Sequence, residues 1–222
     1  VSHSTSTATT LFNQAASIFD GWEDSSTGMR VLKIIPRNKP WSDKAWFTNY
    51  HQHMPFLDGG RSVLLQSKKY DEGGDRRVRH HGLLDLSTGE MTNPFPEGLY
   101  PVEISDAGRT SLVMHSSDGK RAITLWDIDT QRHLATFTFE GDWRFGGAKL
   151  MPDGKRVIVS QIKGRPYDEH VHSQFFVLEA DKEAWQLLDA PGFFCNHMMG
   201  NPADPNLFSY DRWPCPMKPT PQ

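Results

Sequence analysis

The chain has 222 residues, 37% of them hydrophobic, and a formal net charge of −3. That is enough apolar material for one large or two small cores, but the charge lacks the excess of Lys and Arg that nucleic acid or an anionic membrane surface would need. No stretch approaches the ~20 apolar residues of a membrane-spanning helix, so neither nucleic acid nor a membrane is an expected partner.

Residues 1–24 read as an N-terminal arm. Its hydroxyl-rich start, Val1 to Thr7, lacks an initiator Met and fits the beginning of an exported chain, periplasmic or secreted. Ser4 to Phe19 carries the best helical pattern in the chain, with Leu11, Ala15 and Ile18 on one side. A polar turn, Asp24-Ser25-Ser26-Thr27-Gly28, then runs into an apolar strand over residues 28–35. No strand pattern precedes it, so it reads as an orphan outer strand whose partners lie elsewhere.

From residue 46 the chain repeats itself. Four segments place an apolar strand before a turn rich in Asp and Gly or Pro and a second apolar strand after it. Their turn aspartates, Asp58, Asp106, Asp153 and Asp204, are 48, 47 and 51 residues apart. Between these turns lies a second repeated hairpin, seen in Leu83-Leu84-Asp85-Leu86-Ser87-Thr88-Gly89, in Leu125-Trp126-Asp127-Ile128-Asp129-Thr130 and in Phe175-Phe176-Val177-Leu178-Glu179. Four strands in a period of ~40 to 50 residues is the signature of a β-propeller blade. A β-sandwich would show turns every ~8 to 12 residues without this long register. The expected fold is therefore all-β, a partial β-propeller over residues 25–222. Its blades fall at about 46–97, 98–139 and 140–191, with the start of a further blade at 192–222. Three and a half blades make about half a ring, so the missing half is expected from a separate chain or a lost continuation.

The register also sorts the histidines. Counting back seven residues from each turn aspartate gives His51, Leu99, Gly146 and His197. Side chains alternate along a strand, so His53 shares a face with His51, and Arg144 is expected on the channel face as well. An H-x-H pair can bring two imidazoles to one ion, and a third His from another blade can complete the set. His51, His53 and His197 are thus candidate metal ligands. His170 and His172 follow an insertion and are expected at a rim. His80 and His81 enter a third strand, and His3, His115 and His133 are expected at the surface.

The stretch Asn196-His197-Met198-Met199-Gly200-Asn201-Pro202-Ala203-Asp204-Pro205 resembles a segment of the oligogalacturonate lyases and related propeller polysaccharide lyases, and His51-Gln52-His53-Met54-Pro55-Phe56 resembles their H-x-H strand. The resemblance implies a seven-bladed ring when complete and an acidic carbohydrate substrate cleaved by β-elimination. It also implies a divalent metal, manganese. Two departures stand out. Tyr210-Asp211-Arg212-Trp213 occupies the place of a His-Glu pair, and this H-x-H lies in an early blade where the family's lies in a late one. Ulvan lyases, which pair His with Tyr, fit Tyr210 about as well. With either substrate a cation must neutralise the uronate carboxylate, a base must take the C5 proton and an acid must protonate the leaving oxygen. His53, His197 and Tyr210 are the candidates for acid and base, and Arg144 and Arg212 for the carboxylate. A non-catalytic propeller of the TolB or WD-repeat kind is the alternative, since blades by themselves require no chemistry.

Overall fold

The computed structural model describes residues 10, 12–39, 41–43, 46–48, 54–69, 78–117, 120–164, 171–180, 182, 185–191 and 193–212. The chain divides into two compact units, one of Val1–Asn49 with Pro55–Phe95, the other of Tyr50–Met54 with Pro96–Gln222.

In the first unit residues 12–16 are helical. Ala15 and Phe19 are buried there with Val63, Leu65, Leu84 and Met91, and Ile18 packs against the same cluster. Leu11 lies outside the described residues. Strand β1 (Asp20–Glu23) pairs antiparallel with β2 (Arg30–Lys33). The strand expected to be an orphan therefore has a partner, and that partner comes from the segment read as an arm. Its sequence, Asp20-Gly21-Trp22-Glu23, is too short and too polar to stand out as a strand, and the tight turn brings it into register. Strands β3 (Phe56–Leu57), β4 (Ser62–Lys69), β5 (Val78–Asp85) and β6 (Met91–Thr92) form a four-stranded antiparallel sheet in chain order.

The second unit holds two more such sheets. One is built from β7 (Tyr100–Ser105), β8 (Thr110–Ser117), β9 (Lys120–Asp127) and β10 (Arg132–Thr138). The other is built from β11 (Arg144–Leu150), β12 (Arg156–Lys163), β13 (His172–Glu179) and β14 (Gln186–Asp189). A hairpin of β15 (Cys195–Asn201) and β16 (Asp204–Arg212) follows. These are the antiparallel four-stranded sheets of propeller blades, and the fold is all-β.

One backbone latch recurs in all three four-stranded sheets. The N–H just after the third strand donates to the carbonyl of a basic residue in the first turn: Leu86 to Arg61 at 2.8 Å, Ile128 to Arg109 at 3.0 Å and Ala180 to Lys155 at 2.7 Å. The basic position in each repeat thus marks where the two hairpins of a blade are tied together.

Within the second unit, alternation along the central strands does the packing. Val157, Val159, Phe176 and Leu178 of the third sheet are buried against Leu112, Ile123, Leu125 and Phe137 of the second. Their neighbours Ile158, Phe175 and Val177 point the other way and are buried with Cys195 and Met198 of the hairpin. A strand buried on both faces must be almost continuously apolar, and β12 reads Arg156-Val157-Ile158-Val159 for that reason. Successive first turns also touch. A Cβ on Gly154 would lie 2.6 Å from the backbone of Gly108, and Thr110 Oγ1 donates to the Gly154 carbonyl at 2.6 Å. Only glycines admit so close a backbone approach, and Gly154 also has φ +67°.

Candidate functional site

The first strands of successive sheets adjoin in the second unit, β7 with β11 and β11 with β15. Arg144 begins β11, and His197 lies near the beginning of β15. The β15–β16 register shifts between Asn196 and Met199, and His197 sits in that bulge with φ +50°. A bulge re-aims a side chain at the cost of a ladder bond. Here His197 Nδ1 meets Asp211 Oδ2 at 3.0 Å, with the imidazole about 30% exposed. Asp211 had no assigned role in the sequence, although it follows Tyr210 directly.

Tyr210 and Asp211 are consecutive on β16 and so project to opposite faces. The Tyr210 ring stacks on Phe175 with centroids 4.6 Å apart. Its hydroxyl donates to Asp189 Oδ2 at 3.2 Å. Burial, reinforced by the Asp189 carboxylate, pushes its pKa above that of an ordinary phenol. The structure therefore separates Tyr210 from His197. Tyr210 lines a groove of about 470 Å³ between the third sheet and the hairpin, together with Ile158, Val177, Leu188, Asn206 and Phe208. Arg212 ends β16 with its guanidinium 4.3 Å from the centre of the Phe193 ring, a cation–π contact. Arg144 donates to the Gly164 carbonyl and is exposed.

His51 and His53 lie outside the described residues, as does Trp213. Among the described residues no group of three His, Cys, Asp or Glu side chains is placed to hold a metal ion. His197 with Asp211 supplies one nitrogen and one oxygen donor, a chemistry that suits a first-row divalent ion but falls short of a full ligand set. Of the other histidines, His172 is exposed at the start of β13, and His81 is buried in β5. His115 is partly buried, with Nε2 2.8 Å from Thr124 Oγ1. Burial and the nearby His133 hold its pKa below the usual histidine value.

One polar centre was given no role in the sequence analysis. Glu103 is only 2% exposed. Its Oε1 accepts the Met54 N–H at 3.0 Å and its Oε2 the Leu150 N–H at 3.0 Å, and it is ion-paired with Lys149. Met54 in turn accepts the Ile104 N–H at 3.1 Å. A single carboxylate thus joins residue 54, β7 and β11. The signal was present, since an acid and a base interrupt otherwise apolar first strands in successive repeats, three and four residues before their turn aspartates.

No protein-family model matches the sequence, and no curated protein matches it. Among solved structures, an oligogalacturonate lyase from Vibrio parahaemolyticus is similar with a TM-score of 0.64 at 16% identity, over 88% of this chain and 52% of its own. An oligogalacturonate lyase in complex with manganese is similar with a TM-score of 0.63 at 16% identity, over 88% and 53%. A candidate TolB from Agrobacterium tumefaciens follows with a TM-score of 0.52 at 15% identity, over 86% and 64%. At such identities the likeness shows the propeller fold, common to a lyase and to TolB. The chain spans about half the length of the two lyases.

Proposed function

We propose that this chain is part of a propeller polysaccharide lyase that cleaves uronate-containing carbohydrate of the oligogalacturonate kind by β-elimination. The observation that carries the proposal is His197, held by Asp211 in the bulge of a first strand, at the repeat position that His51 occupies in an earlier blade. A His whose second nitrogen is oriented by a carboxylate is the usual arrangement of a metal-ligating imidazole. His51, His53 and His197 would hold a divalent ion, manganese by family resemblance, and when bound it neutralises the uronate carboxylate. Arg144 and Arg212, at the entry and exit ends of β11 and β16, are the cationic side chains proposed to orient that carboxylate. His53 is proposed to move the protons; His197, with Nδ1 on Asp211 and Nε2 left for the ion, has no nitrogen free for that work. Tyr210 is bonded to Asp189 on the opposite face from Asp211, so the leaving-group acid is assigned to an imidazole, and the ulvan-type alternative that rested on Tyr210 loses its support.

The second reading is a propeller that binds partners without chemistry, favoured by the candidate TolB likeness. Metal analysis and a turnover assay separate the two. The lyase predicts about one equivalent of divalent metal, lost in His53→Ala, and a rise in ultraviolet absorbance from unsaturated product on oligogalacturonate that falls at least about 100-fold in His197→Ala. Protein that takes up no metal and leaves oligogalacturonate, pectate and ulvan unchanged would be the scaffold.

A further inference from the structure

The adjoining first strands β11 and β15 each carry a bulge, and the two bulges fall at the same place in the repeat. In β11 the register shifts between Phe145 and Gly147, which leaves Gly146 as the extra residue, seven before Asp153. In β15 it shifts between Asn196 and Met199, so that His197, seven before Asp204, and Met198 together lie opposite Tyr210. The two side chains of this second bulge diverge. His197 meets the Asp211 carboxylate, while Met198 is buried with Ile158, Phe175, Val177 and Cys195 on the side of the third sheet.

His197 holds φ +50° without being a glycine. Such a conformation persists only where its surroundings over-determine it. The Asp211 carboxylate is exposed, and an ion pair open to water is a weak anchor by itself. Met198 is the buried anchor. A Cβ on Gly147 would stand 3.2 Å from Met198 Cε, closer than the ~3.5 to 4.0 Å of an ordinary carbon contact. The methionine methyl therefore occupies the space that a side chain at 147 would fill, and Gly147 is the floor of a notch on β11. Gly146 has another duty, because a Cβ there would meet Ser160 and Ile162. An unbranched thioether suits an irregular notch. Once Met198 is seated, the planar peptide that joins it to His197 limits how the histidine can turn.

We propose that Gly147 and Met198 are positioning residues for His197. The methionine, seated in the glycine notch of the neighbouring first strand, maintains the bulge and turns the imidazole toward Asp211. Both residues act through the His197 backbone, so the contact between two successive first strands sets the direction of the site's imidazole. The inference rests on the reading of His197 as a site residue and adds what orients it.

Nuclear magnetic resonance of the isotope-labelled, metal-free chain tests it on the ring itself. At about pH 9, where an imidazole is neutral, long-range proton–nitrogen correlation separates the Nδ1–H ring that donates to Asp211 from the Nε2–H form. The unaltered chain should show His197 as Nδ1–H. Gly147→Val fills the notch and should lower that population at least about threefold, and Met198→Ala, which empties it, should do the same. Gly147→Ala should give a smaller change in the same direction. Joining Gly147→Val to Met198→Ala restores the volume and should recover most of the Nδ1–H form. Gly200→Ala is the control: its Cβ crowds Pro152 and Met151 from the same strand, and it should leave the ring as it is. Circular dichroism shows which variants are folded, and Gly147→Ala with Met198→Ala carries the test if Gly147→Val is not. A ring that is Nε2–H in the unaltered chain, or that stays Nδ1–H in the folded single variants, overturns the proposal. A double variant no better than Gly147→Val, or an equal change in Gly200→Ala, overturns it too. No metal or substrate is added, so a chain inactive on oligogalacturonate would remove the lyase reading and leave this result standing.

Discussion

The sheet of β11–β14 has two faces that meet different neighbours. Toward the second sheet it faces four strands, and Phe137, Phe139, Phe176 and Leu178 close the interface, with Trp185 set against Phe137 and Phe176 at centroid distances of 5.0 and 4.5 Å. Toward the β15–β16 hairpin it faces, among the described residues, two strands. Ile158, Phe175 and Val177 are buried there, while Leu188 is 42% exposed at the groove. The sequence of the sheet is about equally apolar on both faces, so the difference comes from what stands opposite.

This contrast can be broken most sharply by truncating one aromatic on each face. Phe137→Ala should cost about 3–5 kcal/mol, because a fully enclosed ring leaves a cavity that cannot collapse. Phe208→Ala, beside the groove, should cost about 1–2 kcal/mol, since solvent and neighbours can refill the space. Urea unfolding of both variants measures the pair, and equal losses would mean that the hairpin face is as closed as the other.

The buried Glu103–Lys149 pair spans the first strands on the closed side. Lys149→Met alone should destabilise by about 3 kcal/mol, because it strands a carboxylate away from water. Adding Glu103→Gln should recover part of the loss, and a double variant worse than the sum of the single ones would show that the pair is not the unit of stability.

Glycines sharpen the comparison at smaller scale. Gly154→Ala drives a Cβ into the Gly108 backbone at a positive φ and should cost about 1–3 kcal/mol. Gly200→Ala meets Pro152 Cδ at 3.1 Å and the flexible Met151 side chain at 3.4 Å, so it should cost under about 1 kcal/mol. Thermal melts of the two variants rank them.

The smallest effect concerns Cys195, buried at the inner part of the hairpin face, where burial pushes its thiol up to about 11. At pH 8 only about one thiol in a thousand is then ionised. Iodoacetamide labelling of folded Cys195 should therefore be slow, rise with pH and accelerate on unfolding. Fast labelling at pH 8 would show that solvent reaches the whole of that face.

The fold was legible because a blade repeats its chemistry. The Asp-Gly or Asp-Pro turns, the basic residues that follow the first three and the apolar strands recur with one period; positive φ at Gly59 and Gly154 and burial of central strands on two faces are local causes of two of these, while the latch uses a backbone carbonyl that any residue at the basic position supplies. Asp24-Ser25-Ser26-Thr27-Gly28 was equally plain as a turn, whereas its partner Asp20–Glu23 was not, since four exposed residues with Trp22 as their one large apolar side chain carry no period. The candidate site was legible only as residue types at equal repeat positions. Those positions assumed an unbroken strand, and the bulge at His197 is a local departure that no periodicity announces. Asp211 became its partner, and Tyr210 went to the other face, because alternation on β16 acts on neighbours in space. Glu103 and Lys149, separated by 46 residues in the chain, could be seen as odd charges in apolar strands, but only the adjacency of β7 and β11 makes them a pair. Sequence by itself determined the strands, their turns and the period, because these follow from neighbours along the chain. Tertiary structure alone decided which carboxylate meets which base and which face of a sheet is closed, because those depend on what a separate repeat presents at the same depth.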